Sequence, residues 1–308
     1  MKVFAVVNAA GGVGKTTTAT TLAVGLSRLL EGGRVLLIDL DPQGDSASTM
    51  LGLRPQGYCV SKVIDGRSYV MNGQLDLAAA YKANIMSADR GEEGVYRPNL
   101  YVLPSSDRIK DAKTSMIEEV SIRVRELLGS GNHDYASFPT IAKLFTERLN
   151  PLRNIFDVII LDCPPSSDAF EDAIFAFADI IIAPTMLDYK SLRSTLLLMN
   201  RVTKAQQNDG VHCVVKYMVP TFVDLRTKLA QSMLASLEER YGAYLTISTP
   251  VPRTVSVAEG PASGGLTILE YQEVSGNNSP AAEAAVQAYW DLIHYVYDDL
   301  NIPETTYA

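Results

Sequence analysis

The sequence is poor in several features that would indicate particular classes of protein. Of its 308 residues only three are cysteine and three are histidine, and neither set forms a paired spacing. We therefore expect neither a disulfide framework nor a zinc site, and we expect a reducing compartment. There is also no run of about 18 apolar residues, so no membrane-spanning helix is predicted.

Positive charge is also scarce. Lysine and arginine total 27 against 35 aspartates and glutamates, which gives a formal net charge of −8 at pH 7. This balance argues against a globally basic nucleic-acid binder, although a local basic patch can still form. The chain is long enough to bury one large core, and no shift in composition divides it. We therefore expect a single domain over residues 1–308.

The sequence does contain an alternation of short apolar runs and longer amphipathic segments. Several runs, such as 35–38 and 158–161, are continuously apolar, which is typical of strands covered on both faces. The alternation predicts an α/β fold with a doubly wound, mostly parallel sheet. The predicted strands are 2–8, 34–39, 99–103, 156–162, 179–183, 213–219 and 244–247. The predicted helices are 16–30, 108–128, 191–207, 225–241 and 281–300.

The last predicted helix, 281–300, has a continuous apolar face. That face is formed by Ala285, Ala288, Tyr289, Leu292, Ile293 and Val296. The helix carries acidic residues and no lysine or arginine, so an anionic membrane would repel it. We predict that it packs onto the domain, and no stable membrane association is expected.

The segment after the first strand has the pattern of a phosphate-binding loop. Residues 8–17 read N-A-A-G-G-V-G-K-T-T and lead into a predicted helix. Glycines let backbone N–H groups turn toward phosphate oxygens, and the positive end of the helix faces the anion. Lys15 would reach the terminal phosphates, and the Thr16 hydroxyl would bind magnesium.

This loop departs from the strict pattern at one position, where Ala9 replaces glycine. A glycine-rich turn without a ligand is the competing interpretation. It does not explain the Lys15-Thr16 pair, which follows Gly14 directly and opens a helix. The pattern therefore favours nucleotide binding.

Two aspartates support this interpretation. Asp39 ends one apolar strand in D-L-D-P-Q-G, and Asp162 ends another in D-C-P-P. The carboxyl ends of parallel strands meet at one edge of the sheet, where ligands bind. Alone, either aspartate would more often cap a helix or a turn. With the loop upstream, they predict a magnesium-dependent nucleotide site.

Together these motifs resemble the ParA/MinD family of deviant-Walker ATPases, which are P-loop NTPases. The resemblance rests on 11–17, 39–44 and 162–165 and continues through 179–184, 224–229 and 252–255. The ParA branch is more similar than MinD. The resemblance implies ATP and Mg²⁺ as cofactors, slow ATP hydrolysis, an ATP-sandwich homodimer and non-specific DNA binding. It also implies a cytoplasmic, nucleoid-associated protein that positions a plasmid, chromosome or carboxysome with a ParB- or McdB-like adaptor.

The resemblance also implies roles for individual residues. Asp39 would polarise the attacking water and support the metal, and Asp162 and Thr16 would hold magnesium. The nucleotide-binding residues implied are Gly11, Gly12, Val13, Gly14, Lys15, Thr16 and Thr17. The residues implied to border the adenine are Met218, Thr221, Pro252, Arg253 and Thr254.

Two departures from the ParA pattern stand out. ParA proteins normally have a lysine where this chain has Ala10, and that lysine crosses the dimer to the partner's phosphates. Lys190 is the best substitute as a catalytic cation, and a relocated lysine resembles the carboxysome-positioning ParA relative McdA. A solvated lysine at a helix start is the alternative. Residues 129–140 are expected to be an insertion relative to compact ParA proteins.

The DNA contact is predicted from few residues. Arg226 and Lys228 match basic positions of the ParA pattern, and Arg201, Lys204 and Lys216 lie in the same half of the chain. An arginine often found in the family is replaced here by Ser256. We therefore expect a confined basic patch, with a solvated surface as the alternative.

Two other functions remain open from the sequence alone. One is a metabolic P-loop enzyme of related fold, such as an iron-protein reductase, although Cys59, Cys163 and Cys213 do not form the cluster-binding pair it needs. The other is a MinD-like ATPase that cycles on membranes, which the acidic last helix disfavours.

Overall fold

The protein is built around one twisted sheet of eight strands. In the computed structural model, residues 1–91, 95–131, 134, 138–165, 169–276 and 279–300 are described. The strand order is β10-β9-β8-β1-β7-β2-β6-β5, and every pairing is parallel except that of β5 with β6. The strands are β1 Lys2–Val6, β2 Val35–Asp39, β5 Met86–Ser87, β6 Leu100–Leu103, β7 Val158–Asp162, β8 Ile180–Met186, β9 Val214–Thr221 and β10 Thr246–Ile247. A separate antiparallel hairpin consists of β3 Val70–Met71 and β4 Gln74–Leu75. The predicted fold class is confirmed.

Helices cover both faces of the sheet. The described helices are α1 Lys15–Leu29, α2 Val60–Asp65, α3 Leu77–Asn84, α4 Ile109–Gly129, α5 Ile141–Leu149, α6 Ala169–Phe177, α7 Tyr189–Asp209, α8 Lys228–Tyr241, α9 Ser256–Ala262, α10 Ile268–Ser275 and α11 Pro280–Asp298. A π-helical turn, Ser46–Met50, follows β2.

The two faces have separate cores, and the central strand shows how the sequence divides between them. Val3 and Ala5 of β1 pack in a core with helices α2 to α7. Phe4 and Val6 of the same strand pack on the other side against α1, α10 and α11. Successive strand residues point to opposite faces, so a strand in the middle must be apolar at every position.

The long predicted elements are confirmed and several short helices were not predicted. The structure adds α2, α3, α5, α6, α9 and α10, each of six to nine residues. Such helices give fewer than three turns of pattern and depend on the contacts they make in the fold. Of the predicted insertion 129–140, residues 132–133 and 135–137 lie outside the described residues.

The last helix, α11, packs onto the domain as expected. All six residues of its predicted apolar face are buried, and they contact α1 and the sheet. Arg97 and Glu270, a fully buried ion pair, join the neighbouring α10 to the loop before β6. Within the described residues, none of the helices combines the length and apolarity needed to cross a membrane.

Candidate functional site

The loop between β1 and α1 forms a cradle of backbone N–H groups. Gly12 has φ of 72° and Gly14 has φ of 87°, in the left-handed region that favours glycine. A Cβ at Gly12 would meet no atom within 4 Å, so the backbone conformation and not space explains the residue. Gly14 then caps the start of α1, where the helix dipole favours an anion.

Lys15 folds back over this loop. Its side chain is buried, with 7% of the residue exposed, and Nζ donates to the carbonyl oxygen of Ala10 at 3.0 Å. Burial lowers the pKa of the Lys15 ammonium, and the charge of Asp162 opposes that effect. Ala10, which stands where ParA proteins carry a lysine, is also buried.

The first residue of the loop ties the cradle to the neighbouring strand and helix. The Asn8 amide donates to the carbonyl oxygen of Pro184 in β8 at 2.8 Å and to Thr195 Oγ1 in α7 at 3.0 Å. Its Oδ1 accepts the N–H of Ala10 at 2.9 Å. The cradle and the start of α7 are therefore held at the same edge of the sheet.

Asp39 and Asp162 lie side by side at this edge. They are paired in register at the ends of β2 and β7, and both are fully buried. Asp39 accepts the N–H groups of Asp41 at 2.9 Å and Ser46 at 3.2 Å. The Ser46 hydroxyl donates to Asp162 Oδ2 at 2.6 Å. The π-helical turn thus begins with a residue that holds both carboxylates.

Burial dominates the electrostatics of this pair. It raises the pKa of Asp162 to about 6, although the hydroxyls of Ser46 and Thr16 lower it in part. Burial and the charge of Asp162 raise the pKa of Asp39 well above its usual range. Two neighbouring buried carboxylates are costly to ionise together, and a cation would relieve that cost.

The arrangement fits a bound magnesium ion. Asp162 Oδ1 is buried and has no hydrogen-bond partner among the described residues. It therefore offers a free carboxylate oxygen beside the Thr16 hydroxyl, and Mg²⁺ prefers oxygen ligands and one or two carboxylates. The cradle fits polyphosphate because the positive end of α1 begins at its last glycine and favours an anion. The site is therefore suited to a polyphosphate together with Mg²⁺.

An apolar slot opens beside the start of α1. It is lined by Gly14, Thr17, Thr221, Phe222, Val251, Pro252, Thr254, Val257 and Tyr289. Three predicted adenine-border residues, Thr221, Pro252 and Thr254, are therefore brought together. Their contact with a base stays a prediction.

The other two predicted adenine-border residues lie elsewhere. Met218 is buried in a separate cluster with Leu237 and Leu245, so it faces away from the slot. Its position in β9 explains this, because residues 218 and 221 point to opposite faces of a strand. Arg253 is exposed, and its N–H donates to the carbonyl oxygen of Val223 at 3.1 Å.

Lys190 lies at the start of α7, on the same edge as the cradle. It is exposed, and the preceding Asp188 caps the helix by accepting the N–H of Ser191 at 2.8 Å. This position leaves Lys190 accessible from outside the chain. Its catalytic role stays a prediction.

The predicted basic patch is smaller in the structure than in the sequence. Arg201 pairs with Glu171 and Asp172, and Lys216 pairs with Asp299, so these charges are compensated locally. Arg226 is highly exposed but is held by Asp224 at 2.7 Å. Lys228 is exposed as the first residue of α8.

Several residues of the site were not predicted, and three of them show the reasons. Ser46 lies seven positions after Asp39, and only the π-helical turn brings it back to the carboxylates. Phe222 follows β9 directly, so it could have been inferred from its predicted neighbour Thr221. Tyr289 lies in α11. The apolar periodicity of that helix predicts that Tyr289 is buried but does not predict its neighbours.

One family model and several known proteins match this sequence. The model of the family AAA_31, described as an AAA domain, matches residues 1–213. The sporulation initiation inhibitor protein Soj of Bacillus subtilis (strain 168) is 26% identical over 268 residues, which cover 87% of this chain and 90% of that protein. The chromosome-partitioning ATPase Soj of Treponema pallidum (strain Nichols) is 29% identical over 270 residues, with 88% and 90% covered.

Solved structures share the fold. An ATP complex of McdA from Cyanothece has a TM-score of 0.67 at 21% identity, with 100% of this chain and 99% of that chain covered. Cobyrinic acid a,c-diamide synthase from Mycobacterium smegmatis, bound to ADP and magnesium, has a TM-score of 0.66 at 23% identity, with both chains fully covered. McdA and a cobyrinic acid a,c-diamide synthase thus share this architecture, so the fold alone does not choose between their functions.

Proposed function

This chain belongs to the AAA_31 family of AAA domains and is an ATPase of the ParA/MinD type, and we propose that it acts as a ParA-type positioning ATPase. In this proposal the ATP-bound protein forms a sandwich dimer and binds DNA without sequence preference. An adaptor carried by the cargo then stimulates hydrolysis and releases it. The cargo would be a plasmid, a chromosome or a carboxysome.

The observation that carries the proposal is the junction of cradle and carboxylates at one sheet edge. Gly14 caps α1 and Lys15 is its first residue, and Asp39 and Asp162 are paired in register at the ends of β2 and β7. Thr16 and Asp162 would hold Mg²⁺, which when bound neutralises phosphate charge. Asp39, fixed by two backbone N–H groups, would orient and polarise the attacking water.

These roles are separable by mutation. Lys15→Ala should lose ATP binding, because it removes the cation that meets the terminal phosphates. Asp39→Ala should keep ATP binding and lose hydrolysis, because the cradle is untouched. Calorimetry with MgATP and a phosphate-release assay measure the two properties. Full hydrolysis in the Asp39 variant would contradict the assignment.

We further propose that Lys190 acts on the partner's phosphates in the dimer. The support is its exposure at the start of α7 and the bonds of Asn8, which join that region to the cradle. A cation there would stabilise charge that develops in the transition state. Lys190→Ala should slow hydrolysis and weaken ATP-dependent dimerisation, measured by light scattering. Full activity and full dimerisation in this variant would refute the role.

DNA binding is proposed for the surface at the start of α8. Lys228 adds a positive charge to a helix N-terminus, where backbone N–H groups also attract phosphate. Arg226 would join once phosphate displaces Asp224. The test is retention of the protein on arbitrary duplex DNA with ATP, with ADP and without nucleotide.

The same preparation tests the alternatives. Retention on DNA only with ATP supports the positioning function. ATP-dependent binding to anionic liposomes without DNA binding would support a MinD-like function instead. ATP hydrolysis that is coupled to a small-molecule product, with neither surface bound, would support a metabolic enzyme.

A further inference from the structure

The buried residues of helix α4 all lie in its first half. They are Ile109, Ala112, Ser115 and Met116, within the first eight of its 21 residues. Beyond Met116 no residue of this helix is buried. On one side of the second half, Glu119 and Arg123 form ion pairs with α5. The other side of the second half faces away from the domain.

This outer side carries large apolar residues. Ile117, Ile122 and Leu128 are 53%, 52% and 45% exposed. In addition, Ile117, Ser121, Val124 and Leu128 follow one another at spacings of four, three and four residues, which is the spacing of the a and d positions in a heptad repeat. A second apolar stripe, away from the face that packs on the domain, is typical of a helix that packs against another helix.

The charges beside this stripe complement those of an antiparallel copy. Glu118 and Arg125 are exposed and flank the stripe on the same side. Neither side chain forms an ion pair within the described part of the chain. An antiparallel alignment with Ser121 opposite Val124 of a second copy puts Glu118 beside Arg125 of that copy. The two-fold axis of such a pair repeats this contact with the roles exchanged.

The same alignment also matches the apolar residues. It places Ile117 opposite Leu128 of the second copy at both ends of the pair, and the small side chain of Ser121 lets the helices approach near the middle. The helix is neutral although the chain has a net charge of −8, because four basic residues balance four acidic ones: Lys110, Lys113, Arg123 and Arg125 against Asp111, Glu118, Glu119 and Glu126. Repulsion between two acidic molecules is therefore not concentrated at this helix.

We propose that the second half of α4 is a self-association surface, on which the α4 helix of a second copy of this chain docks antiparallel. The contact uses no residue of the nucleotide site, so it forms without ATP and is separate from the proposed sandwich dimer. The paired segments, 117–128, are about 18 Å long. Such a pair buries less than the roughly 1,600 Å² of a standard interface, so the association should be weak.

The test is sedimentation equilibrium without nucleotide. The wild type should pass from monomer to dimer as its concentration rises, with a Kd between about 10 μM and 1 mM. Glu118→Arg and Arg125→Glu should each weaken the dimer about tenfold, because like charges then meet across the axis. The double variant Glu118→Arg/Arg125→Glu exchanges the two charges and should return to within about threefold of the wild type.

A matched control lies on the same helix. Glu126 is exposed and points away from the stripe, so Glu126→Arg makes the same change of charge outside the contact. It should alter the Kd less than about twofold. Ile117→Ser removes an apolar contact and should weaken the dimer about tenfold. Since Ile117 is exposed, its urea denaturation midpoint should stay close to that of the wild type, which shows that the variant is folded.

Three outcomes would overturn the proposal. A wild type that stays monomeric up to about 1 mM would show that a second copy does not occupy this face. A dimer that Glu126→Arg weakens as much as Glu118→Arg, or that the double variant does not restore, would refute the antiparallel alignment. A dimer that forms only with ATP would be the sandwich dimer of the proposed function, and it would leave α4 without a role in self-association.

Discussion

At the scale of single residues, Asp162 carries a cost that its ligand is expected to remove. Its pKa is raised from 3.8 to about 6, so the folded state holds the proton more tightly than the unfolded chain does. Stability without magnesium should therefore fall as pH rises from about 4 to about 6, and the full cost, up to about 3 kcal/mol, is present above that range. Asp162→Asn should be more stable than the wild type at pH 7 in EDTA and should lose most of this advantage below pH 4. Urea denaturation at several pH values measures the difference.

Magnesium provides the second half of the same test. Mg²⁺ with nucleotide should stabilise the wild type more than Asp162→Asn, because a ligand that binds only the folded state adds to its stability and the variant lacks a carboxylate for the metal. Asp45→Asn, an exposed carboxylate close by, should change stability by less than about 0.5 kcal/mol at any pH. A destabilised Asp162→Asn variant at pH 7 would contradict the interpretation.

Much of the arrangement could be predicted at this scale, and the position of Met218 relative to Thr221 could have been predicted as well. The glycines, Lys15, Asp39 and Asp162 carry a motif whose spacing encodes its geometry. Met218 was placed at the adenine border by resemblance, whereas strand alternation separates it from Thr221. Phe222 has no signal of its own, because its φ of 55° is set by hydrogen bonds that its neighbours form with residues distant in the sequence.

At the scale of elements, the packing of α1 against α11 depends on the absence of a side chain. A Cβ at Gly25 would lie 2.2 Å from Ile293 Cδ1, so alanine there must displace the isoleucine. Gly25→Ala should raise helix propensity by about 1 kcal/mol, but overpacking against Ile293 should cancel that gain. In an Ile293→Ala background the same substitution should be stabilising. A double-mutant cycle measured by urea denaturation gives the coupling, and additivity within about 0.5 kcal/mol would contradict it.

Helix α10 offers two glutamate–arginine pairs that differ in burial. Glu270 and Arg97 have fully buried side chains, and Arg97 Nε donates to Glu270 Oε1 at 2.7 Å. Glu273 is 54% exposed and pairs with Arg28 at 2.7 Å. Glu270→Ala leaves a buried charge without its partner and should cost about 3–5 kcal/mol.

The matched control is Glu273→Ala on the same helix. It should cost less than about 1 kcal/mol, since exposed pairs contribute little. Urea denaturation at pH 7 compares the two variants with the wild type. Equal losses would show that the helix, and not the burial of the pair, decides the effect.

Some strands and helices have a clear sequence pattern and others do not. Central strands such as β2 and β7 are continuously apolar, and long helices such as α7 repeat their pattern over several turns. The short α2 and α3 have no comparable signal, and their formation depends on neighbours that the sequence does not identify. The order of the strands likewise follows from contacts and not from local pattern.

At the scale of the whole molecule, the net charge of −8 opposes binding to any polyanion. Phosphate attraction must therefore come from a small surface, and ion pairs of Arg201 and Lys216 reduce the available charge further. Of the patch predicted from the sequence, the exposed Lys204 in α7 and the proposed surface at the start of α8 remain. The contribution of the α8 surface should be visible in the salt dependence of DNA binding more clearly than in a single affinity.

Each phosphate contact contributes about 0.9 to the slope of log affinity against log salt concentration for duplex DNA. Lys228→Ala should therefore weaken ATP-dependent binding and reduce that slope by about one contact, equally for unrelated sequences. Arg34→Ala is the control: Arg34 is exposed beside the first residue of β2, at the edge of the sheet opposite the nucleotide site. Fluorescence anisotropy from 50 to about 200 mM salt measures both variants. If the Arg34 variant lost as much slope as the Lys228 variant, the attraction would be spread over the molecule, and the surface at α8 would not be the DNA-binding site.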